Sequence, residues 1–117
     1  SPFGLSAPPW MLPRARRSVA EAAAVRAAAE WRARGYTVEA FVDAPTRPAY
    51  RDRVLPSAYR EASLLCTHGL IEAAVGTTEQ QARLVEEGEV VPLRIGAWHT
   101  IRNAHTQHPS SWLYVMR

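Results

Sequence analysis

The chain has 117 residues, which is room for one domain with one modest core, because domains cluster around roughly 100–150 residues. Its hydrophobic content of 47% with 21% charged residues is that of an ordinary globular protein. No apolar run approaches the roughly 18 residues that cross a bilayer, and neither a basic leader nor an apolar signal segment is visible. We therefore expect no membrane partner and a cytoplasmic location.

All 14 basic residues are arginine, and they are scattered among 11 acidic residues to leave a net charge of +3. A nucleic-acid interface usually shows a clustered basic face with stacking aromatic side chains. Only Arg14, Arg16 and Arg17 form such a cluster in the sequence. The composition therefore predicts no nucleic-acid partner.

The chain contains one cysteine, Cys66, so it has neither an internal disulfide nor a cysteine-based metal cluster. Cys66 ends the apolar run Leu64-Leu65-Cys66. Free cysteine in such surroundings behaves as a small hydrophobic residue. We expect Cys66 to be buried in the core.

The first part of the chain predicts an extended arm followed by a helix. Residues 1–13 hold four prolines and one glycine, which favours an arm. A helix is predicted over residues 14–35, because Ser18 and Glu21 have capping-box spacing and Gly35 supplies a C-terminal cap. An apolar stripe predicts the helix face that packs on a sheet, and it consists of Val19, Ala22, Val25, Ala29 and Ala33.

Beyond the helix the pattern becomes that of short strands. Residues 36–42 alternate like a strand, whereas residues 44–58 contain three prolines and mixed charge, which predicts a loop. Further strands are predicted over residues 62–68, 70–75, 81–85, 89–95, 97–102 and 111–116. Several short strands at this spacing are typical of a sandwich or barrel. The chain is thus predicted to be one mainly β domain over residues 1–117, with a β-barrel over residues 36–117.

The stretch from Gly88 to Asn103, GEVVPLRIGAWHTIRN, resembles the second sequence motif of the cupin superfamily, G-x5-P-x-G-x2-H-x3-N. Gly88, Gly96, His99 and Asn103 all fall at the intervals of the motif, while Arg94 stands where the motif has proline. The resemblance extends from the end of the predicted helix to the end of the chain. It implies a small single-domain cupin with a jelly-roll β-barrel preceded by one α-helix.

The spacing of this motif has a physical meaning. Glycine permits the tight turn before the strand and the sharp bend within the motif. His99 is predicted to share a strand face with Ala97 and Ile101 and to point into the barrel. Asn103 is predicted to close the strand at a turn, where its side chain bonds the local backbone.

The first cupin motif, G-x5-H-x-H-x3,4-E-x6-G, supplies two histidines and one glutamate to a metal in this family. The corresponding stretch, residues 50–61, contains no histidine. Arg53 and Leu55 are assigned to the two histidine positions and Glu61 to the glutamate, and neither arginine nor leucine binds a metal. Together, His99 and Glu61 give two ligands, whereas tight first-row metal sites usually have three. We expect no metal and no cofactor.

The other histidines do not rebuild that site in the sequence. His105 and His108 follow Asn103 in a predicted turn, and their spacing from His99 is not a recognised ligand pattern, so solvated turn histidines are expected. His68 lies on a predicted strand and faces either the cavity or solvent. Both orientations remain open at this point.

A cupin barrel without its metal keeps a concave pocket with a few convergent polar groups. His99 is expected to transfer protons, with Glu61 orienting it or acting as the partner acid and Tyr59 as a third catalytic group. An arginine in the first motif is expected to hold a carboxylate or enolate oxygen. The substrate-binding residues predicted in this way are Arg53, His68, Trp98, Tyr114 and Trp112.

These residues suit chemistry without redox on a small carbonyl compound: isomerisation, dehydration, cyclisation or decarboxylation. The resemblance to metal-poor cupins implies such a step in specialised metabolism, catalysed by a lyase or isomerase. Two alternatives stay open, a non-catalytic cupin that binds a small ligand and a metal-dependent dioxygenase with an unconventional site. Because cupins commonly pair through sheet edges, the resemblance also implies a homodimer.

Overall fold

The computed structural model describes residues 11–45, 50–75 and 82–117, and in these it shows one helix followed by eight strands. Residues 1–10 of the predicted arm lie outside the described residues. The elements are α1 (Met11–Ala33), β1 (Thr37–Asp43), β2 (Tyr50–Arg53), β3 (Ala62–His68), β4 (Leu70–Val75), β5 (Arg83–Glu86), β6 (Val90–Pro92), β7 (Trp98–Asn103) and β8 (Ser110–Met116).

The strands form two four-stranded antiparallel sheets, ordered β1-β8-β3-β6 and β2-β7-β4-β5. Their inner faces share one core, to which the first sheet contributes Leu64 and Trp112 and the second contributes Ile71 and Ile101. This arrangement confirms the predicted fold class, a mainly β jelly roll preceded by one helix. The two sheets of the described residues face each other as a sandwich, however, and do not close into a barrel.

Strand β8 lies in the middle of the first sheet and is buried along its whole length. Trp112 and Tyr114 point between the sheets, whereas Leu113 and Val115 point to the opposite face. That opposite face is covered by α1, so both sides of the strand are apolar. A continuous hydrophobic run is the sequence signature of a strand covered on both faces.

Helix α1 packs on the sheet through a different stripe from the predicted one. Ala20, Ala24 and Ala28 are buried at 0%, 2% and 1% exposure, and the last two contact Leu113 and Val115. The predicted stripe, which includes Val19 and Val25, is exposed. Alanine occurs at both buried and exposed positions of the helix, so composition does not distinguish its faces. Ala20, Ala24 and Ala28 are four positions apart and share one helix face, and their small side chains let the helix lie close to β8.

The helix begins at Met11, earlier than the predicted start at residue 14. Pro13 therefore falls in the first turn, where proline is tolerated because the backbone amides there have no partner within the helix. Ser18 lies well inside the helix rather than at its N-cap, so the predicted capping box was wrong. Among the described residues, no helix has the length and apolar character that a membrane span requires.

Strand β2 lies within residues 44–58, which the sequence predicted to be a loop. It occupies the edge of the second sheet and pairs only with β7 in the described structure. An edge strand tolerates the charges of Arg51, Asp52 and Arg53 because one of its sides is open. The sequence prediction missed this strand because of its short length, its charge and the neighbouring prolines.

Candidate functional site

The motif strand β7 directs His99 into the sandwich, as the sequence predicted. Its side chain is buried, with 3% of its surface exposed, and Ile101 on the same strand face is fully buried in the core. Nε2 of His99 lies 3.0 Å from the carbonyl oxygen of Arg94. A carbonyl oxygen only accepts, so Nε2 carries the proton and donates it to this bond. This bond fixes the orientation of the imidazole ring.

The glycines and the asparagine of the motif also behave as predicted. Gly88 and Gly96 adopt φ values of +86° and +88°, a region that side chains other than glycine rarely occupy. Nδ2 of Asn103 donates to the carbonyl oxygens of Asp43 and His108, at 3.1 and 2.8 Å. The stretch that resembles the second cupin motif therefore forms a real strand bounded by its turns.

The register between β2 and β7 shows which first-motif residue faces His99. Asp52 pairs directly with His99, and Arg53 pairs with Trp98 on the outer face of the sheet. Leu55, assigned above to a histidine position, is 48% exposed. The inward position opposite His99 is thus Asp52, which the sequence analysis did not select. Asp52 lies two residues before Val54, which is buried, so the two share a strand face. This spacing was the signal that could have identified Asp52 as inward-facing.

A cavity of about 250 Å³ opens between the edges of the two sheets, where β1 and β2 face each other. We call it the edge cavity. Its lining includes two acidic residues, one arginine, two tyrosines and four apolar residues. The lining residues are Glu39, Asp52, Arg53, Val54, Leu55, Ala58, Tyr59, Tyr114 and Met116.

Three of the predicted site residues, Arg53, Tyr59 and Tyr114, come together in the edge cavity. Tyr114 is 2% exposed, and its ring contacts Phe41 at 5.3 Å between centroids. Two further charged residues, Glu39 and Asp52, were missed by the sequence analysis. Both stand on edge strands whose facing neighbours cannot be identified without the fold.

Glu61 does not join His99 in the structure, so the predicted pairing of these two residues was wrong. The Glu61 carboxylate accepts hydrogen bonds from Nε of Arg117 at 3.1 Å and from the Tyr36 hydroxyl at 3.3 Å. It is exposed and does not line the edge cavity. The physical reason is that Glu61 lies directly before β3, at the surface, where Arg117 is its partner.

Two more predicted binding residues, His68 and Trp112, lie away from the edge cavity. Nδ1 of His68 lies 3.1 Å from the carboxylate of Glu87 near the turn after β3. Trp112 is fully buried and stacks on Phe41 at a centroid distance of 5.6 Å. Neither side chain lines the edge cavity. In this structure, therefore, His68 is held at the surface and Trp112 belongs to the core.

Trp98 occupies the outer face of the second sheet rather than the interior. The Cζ atoms of Arg51 and Arg53 lie 5.2 and 5.3 Å from its ring centroid. Such distances are those of cation–π contacts. Trp98 does not line the edge cavity, but its contact Arg53 is one of the residues that do.

The residues of the described chain do not fit the metal site that the cupin fold implies. No group of three or more histidine, cysteine, aspartate or glutamate side chains converges among them. Nε2 of His99 donates a hydrogen bond to the backbone carbonyl of Arg94, and the Glu61 carboxylate pairs with Arg117. His105 packs against His108 in the turn after β7, at 4.6 Å between ring centroids. No step of the chemistry is therefore assigned to a metal.

Cys66 is fully buried between the sheets, as predicted. Burial in apolar surroundings disfavours the thiolate and raises the pKa of Cys66 to about 11. A thiol of this kind stays protonated near neutral pH and is a poor nucleophile. Cys66 thus acts as a packing residue of the core.

A second, larger depression of about 350 Å³ lies outside the sandwich, between α1 and the end of β3. Its lining residues are Ala23, Arg26, Ala27, Glu30, Leu65, Cys66, Thr67, Glu87 and Gly88. It is a shallow groove beside the helix. The edge cavity is the more enclosed of the two and is lined by β2, the strand that pairs with the motif strand β7, so it is the better candidate site.

The chain has the cupin fold, as comparison with solved structures shows. The hydroxypropylphosphonic acid epoxidase from S. wedmorenis, solved in complex with fosfomycin, superposes with a TM-score of 0.57 at 16% identity, over 74% of this chain and 46% of the epoxidase. The Drosophila melanogaster CENP-C cupin domain superposes with a TM-score of 0.55 at 16% identity, over 68% of this chain and 59% of that domain. Identities this low establish the fold alone.

A protein of unknown function from Rhizobium leguminosarum has the same fold, with a TM-score of 0.52 at 17% identity over 69% of this chain and 68% of its own. The chain spans 63% of the CENP-C structure solved with CAL1 and 44% of the Fe(II) form of the epoxidase. No family model and no curated protein matches the sequence. The neighbours include an enzyme and a domain that binds another protein, so the fold does not select a function.

Proposed function

We propose that the chain binds a small polar organic molecule in the edge cavity. The observation that carries the proposal is the lining of this cavity, where two acidic residues, two tyrosines and Arg53 stand beside apolar residues. Ligand sites typically combine apolar walls with a few polar groups in this way. A volume of about 250 Å³ lies below the roughly 300–1,000 Å³ of drug-sized pockets, which favours a small metabolite.

The polar residues of the edge cavity indicate which chemical groups the ligand carries. The carboxylates of Glu39 and Asp52 accept hydrogen bonds, so they favour a ligand hydroxyl or ammonium group. The phenol of Tyr59 both donates and accepts, and it reaches the cavity from the segment after β2. We expect the ligand to be a polar molecule with at least one donor group.

Acid–base catalysis is the second candidate, and one observation favours it. Asp52, Glu39 and Tyr59 place two carboxylates and a phenol around the same small volume, and each of these groups is able to exchange a proton with a bound molecule. The proposed catalytic groups therefore differ from the predicted pair of His99 and Glu61. Such an enzyme would catalyse isomerisation or dehydration of a small carbonyl compound.

Binding is tested by titrating the protein, labelled with nitrogen-15, with a panel of amino acids, hydroxy acids and polyols. We expect saturable chemical-shift changes at Asp52, Tyr59 and Tyr114 for at least one class of probe. Asp52→Asn is expected to weaken binding about tenfold, since hydrogen bonds to a charged group contribute about 1.5–3 kcal/mol. Glu61→Gln, a matched change outside the cavity, is expected to leave binding unchanged.

Equal loss in both variants, or shifts that centre on α1, would contradict the proposal. Catalysis is tested separately by proton exchange of small carbonyl compounds in deuterated water. We expect exchange that exceeds the buffer rate and falls in Asp52→Asn, whereas Glu61→Gln keeps the parent rate. An exchange rate equal to that of buffer alone would rule out the catalytic candidate and leave the binding proposal standing.

A further inference from the structure

Two arginines share one tryptophan on the outer face of the second sheet, where β2 pairs with β7. The guanidinium carbons of Arg51 and Arg53 lie 5.2 and 5.3 Å from the ring centroid of Trp98. Arg53 pairs directly with Trp98 across β2 and β7, and Arg51 stands two residues earlier on the same strand face. We call this group the Arg51–Trp98–Arg53 cluster.

The cluster carries two positive charges that no acidic side chain of the described residues neutralises through an ion pair. Three other arginines, Arg83, Arg102 and Arg117, each pair with a glutamate at 3.0 or 3.1 Å. Arginine keeps its charge at every physiological pH, and like charges on neighbouring positions of a strand repel each other. An anion bound between the two guanidinium groups would relieve this repulsion.

Contact with the Trp98 ring orients the two guanidinium groups for such a ligand. A guanidinium group contacts an aromatic ring through its planar face, which leaves its N–H edge free to donate. Two parallel N–H groups match the oxygens of a carboxylate or phosphate. Trp98 itself is 41% exposed, so the cluster is accessible from solvent.

We propose that the Arg51–Trp98–Arg53 cluster binds the oxyanion end of the ligand, a carboxylate or phosphate, while the rest of the molecule enters the edge cavity. This inference rests on the proposed function, because it names the charged end of the same ligand. Arg53 belongs to both sites, since it contacts Trp98 and lines the cavity. Glu39 and Asp52 repel an anion from the interior, so the anion stays at the rim and a donor group points inward.

The experiment titrates the full chain with inorganic phosphate and, separately, with acetate, at an ionic strength held constant with chloride. The indole N–H of Trp98 and the Nε–H groups of the two arginines are followed by nuclear magnetic resonance. We expect saturable shifts at these groups, and a dissociation constant raised about tenfold by Arg51→Gln or Arg53→Gln. Tighter binding of phosphate would indicate a phosphorylated ligand, and tighter binding of acetate a carboxylate.

Arg34→Gln is the matched control, because among the described residues Arg34 is the one arginine that contacts the Trp31 ring, at 4.8 Å. This variant is expected to bind both anions as the parent does. Shifts that do not saturate, or that are equal at Arg34 and at the cluster, would overturn the inference.

A neutral polyol is titrated in parallel to separate the two proposals. Saturable shifts at Tyr59 without anion binding at the cluster would leave the proposed function in place and overturn only the oxyanion site. Anion binding at the cluster, with no cavity shift for any member of the probe panel, would support the oxyanion site and overturn the proposed function.

Discussion

Asn103 and Ser110 are joined by a hydrogen bond of 2.7 Å between Oγ of Ser110 and Oδ1 of Asn103, with both residues buried. Oδ1 of Asn103 also accepts a hydrogen bond from the backbone N–H of His105 at 2.8 Å, while its amide group reaches Asp43 and His108. One side chain thus holds the ends of β1 and β7 and the turn before β8. In this protein the motif asparagine has a structural role.

Replacing this asparagine tests how much the turn depends on it. We expect Asn103→Ala to lower the free energy of unfolding by about 2–4 kcal/mol, because each buried polar group left without a partner costs about 1–3 kcal/mol. Urea unfolding followed by circular dichroism measures the change. Thr106→Ala, at an exposed position of the same turn, is expected to change stability by less than about 0.5 kcal/mol. Equal effects in the two variants would contradict the assigned role of Asn103.

The packing face of α1 is tested by one enlargement on each side of the helix. Ala24 is 2% exposed against β8, whereas Ala22 is exposed. We expect Ala24→Leu to destabilise the fold by about 1–3 kcal/mol through overpacking. Ala22→Leu is expected to change the free energy of unfolding by less than about 0.5 kcal/mol. The opposite order in a thermal melt would restore the stripe predicted from the sequence.

The fold was more predictable than the site, for reasons that particular residues show. Strands β3 and β4 match their predicted bounds because glycine and apolar runs mark their ends. Strand β2 was missed because it is charged and short and lies at a sheet edge. The face of α1 was misassigned because alanine occupies buried and exposed positions alike, so only contact with Leu113 and Val115 distinguishes the sides of the helix.

The same contrast applies to the candidate site. Tyr59, Tyr114 and Arg53 are all among the residues that line the edge cavity, although Arg53 takes an outward-facing position of β2. The predicted role of Glu61 came from aligning residues 50–61 with a motif whose two histidines are absent here. Without those histidines, the alignment could not be fixed to the residue. Asp52 emerges only when the pairing of β2 with β7 is known, because that pairing decides which side chains face inward.

The buried thiol of Cys66 predicts a pH dependence of stability at alkaline pH. Its pKa is raised from 9.0 to about 11 in the folded protein, mainly by burial. Below pH 9 the thiol is protonated in both states, so its contribution is fully present. Between pH 9 and 11 the unfolded chain loses the proton first, so folding stability falls as the pH rises. We expect this decline in the parent protein.

The comparison with Cys66→Ala isolates the thiol from the other groups that titrate at alkaline pH. The variant is expected to be less stable at pH 7, because it loses buried volume, but to decline less between pH 9 and 11. Urea unfolding at a series of pH values measures both slopes. A thiol reagent at pH 8 provides a second measurement and is expected to react slowly with native Cys66 and rapidly in urea. Identical slopes in the two proteins would contradict the raised pKa.

The donor set around His99 predicts that the protein binds first-row metals weakly. Tight sites usually need three protein ligands, whereas Nε2 of His99 already donates to Arg94 and its facing partner on β2 is the single carboxylate of Asp52. We expect less than about a tenth of an equivalent of iron, manganese, nickel or zinc after purification without a metal-affinity step. His99→Ala is expected to leave that content unchanged while lowering stability. About one equivalent of metal in the parent, lost in His99→Ala, would instead establish a metal-dependent cupin with an unconventional site.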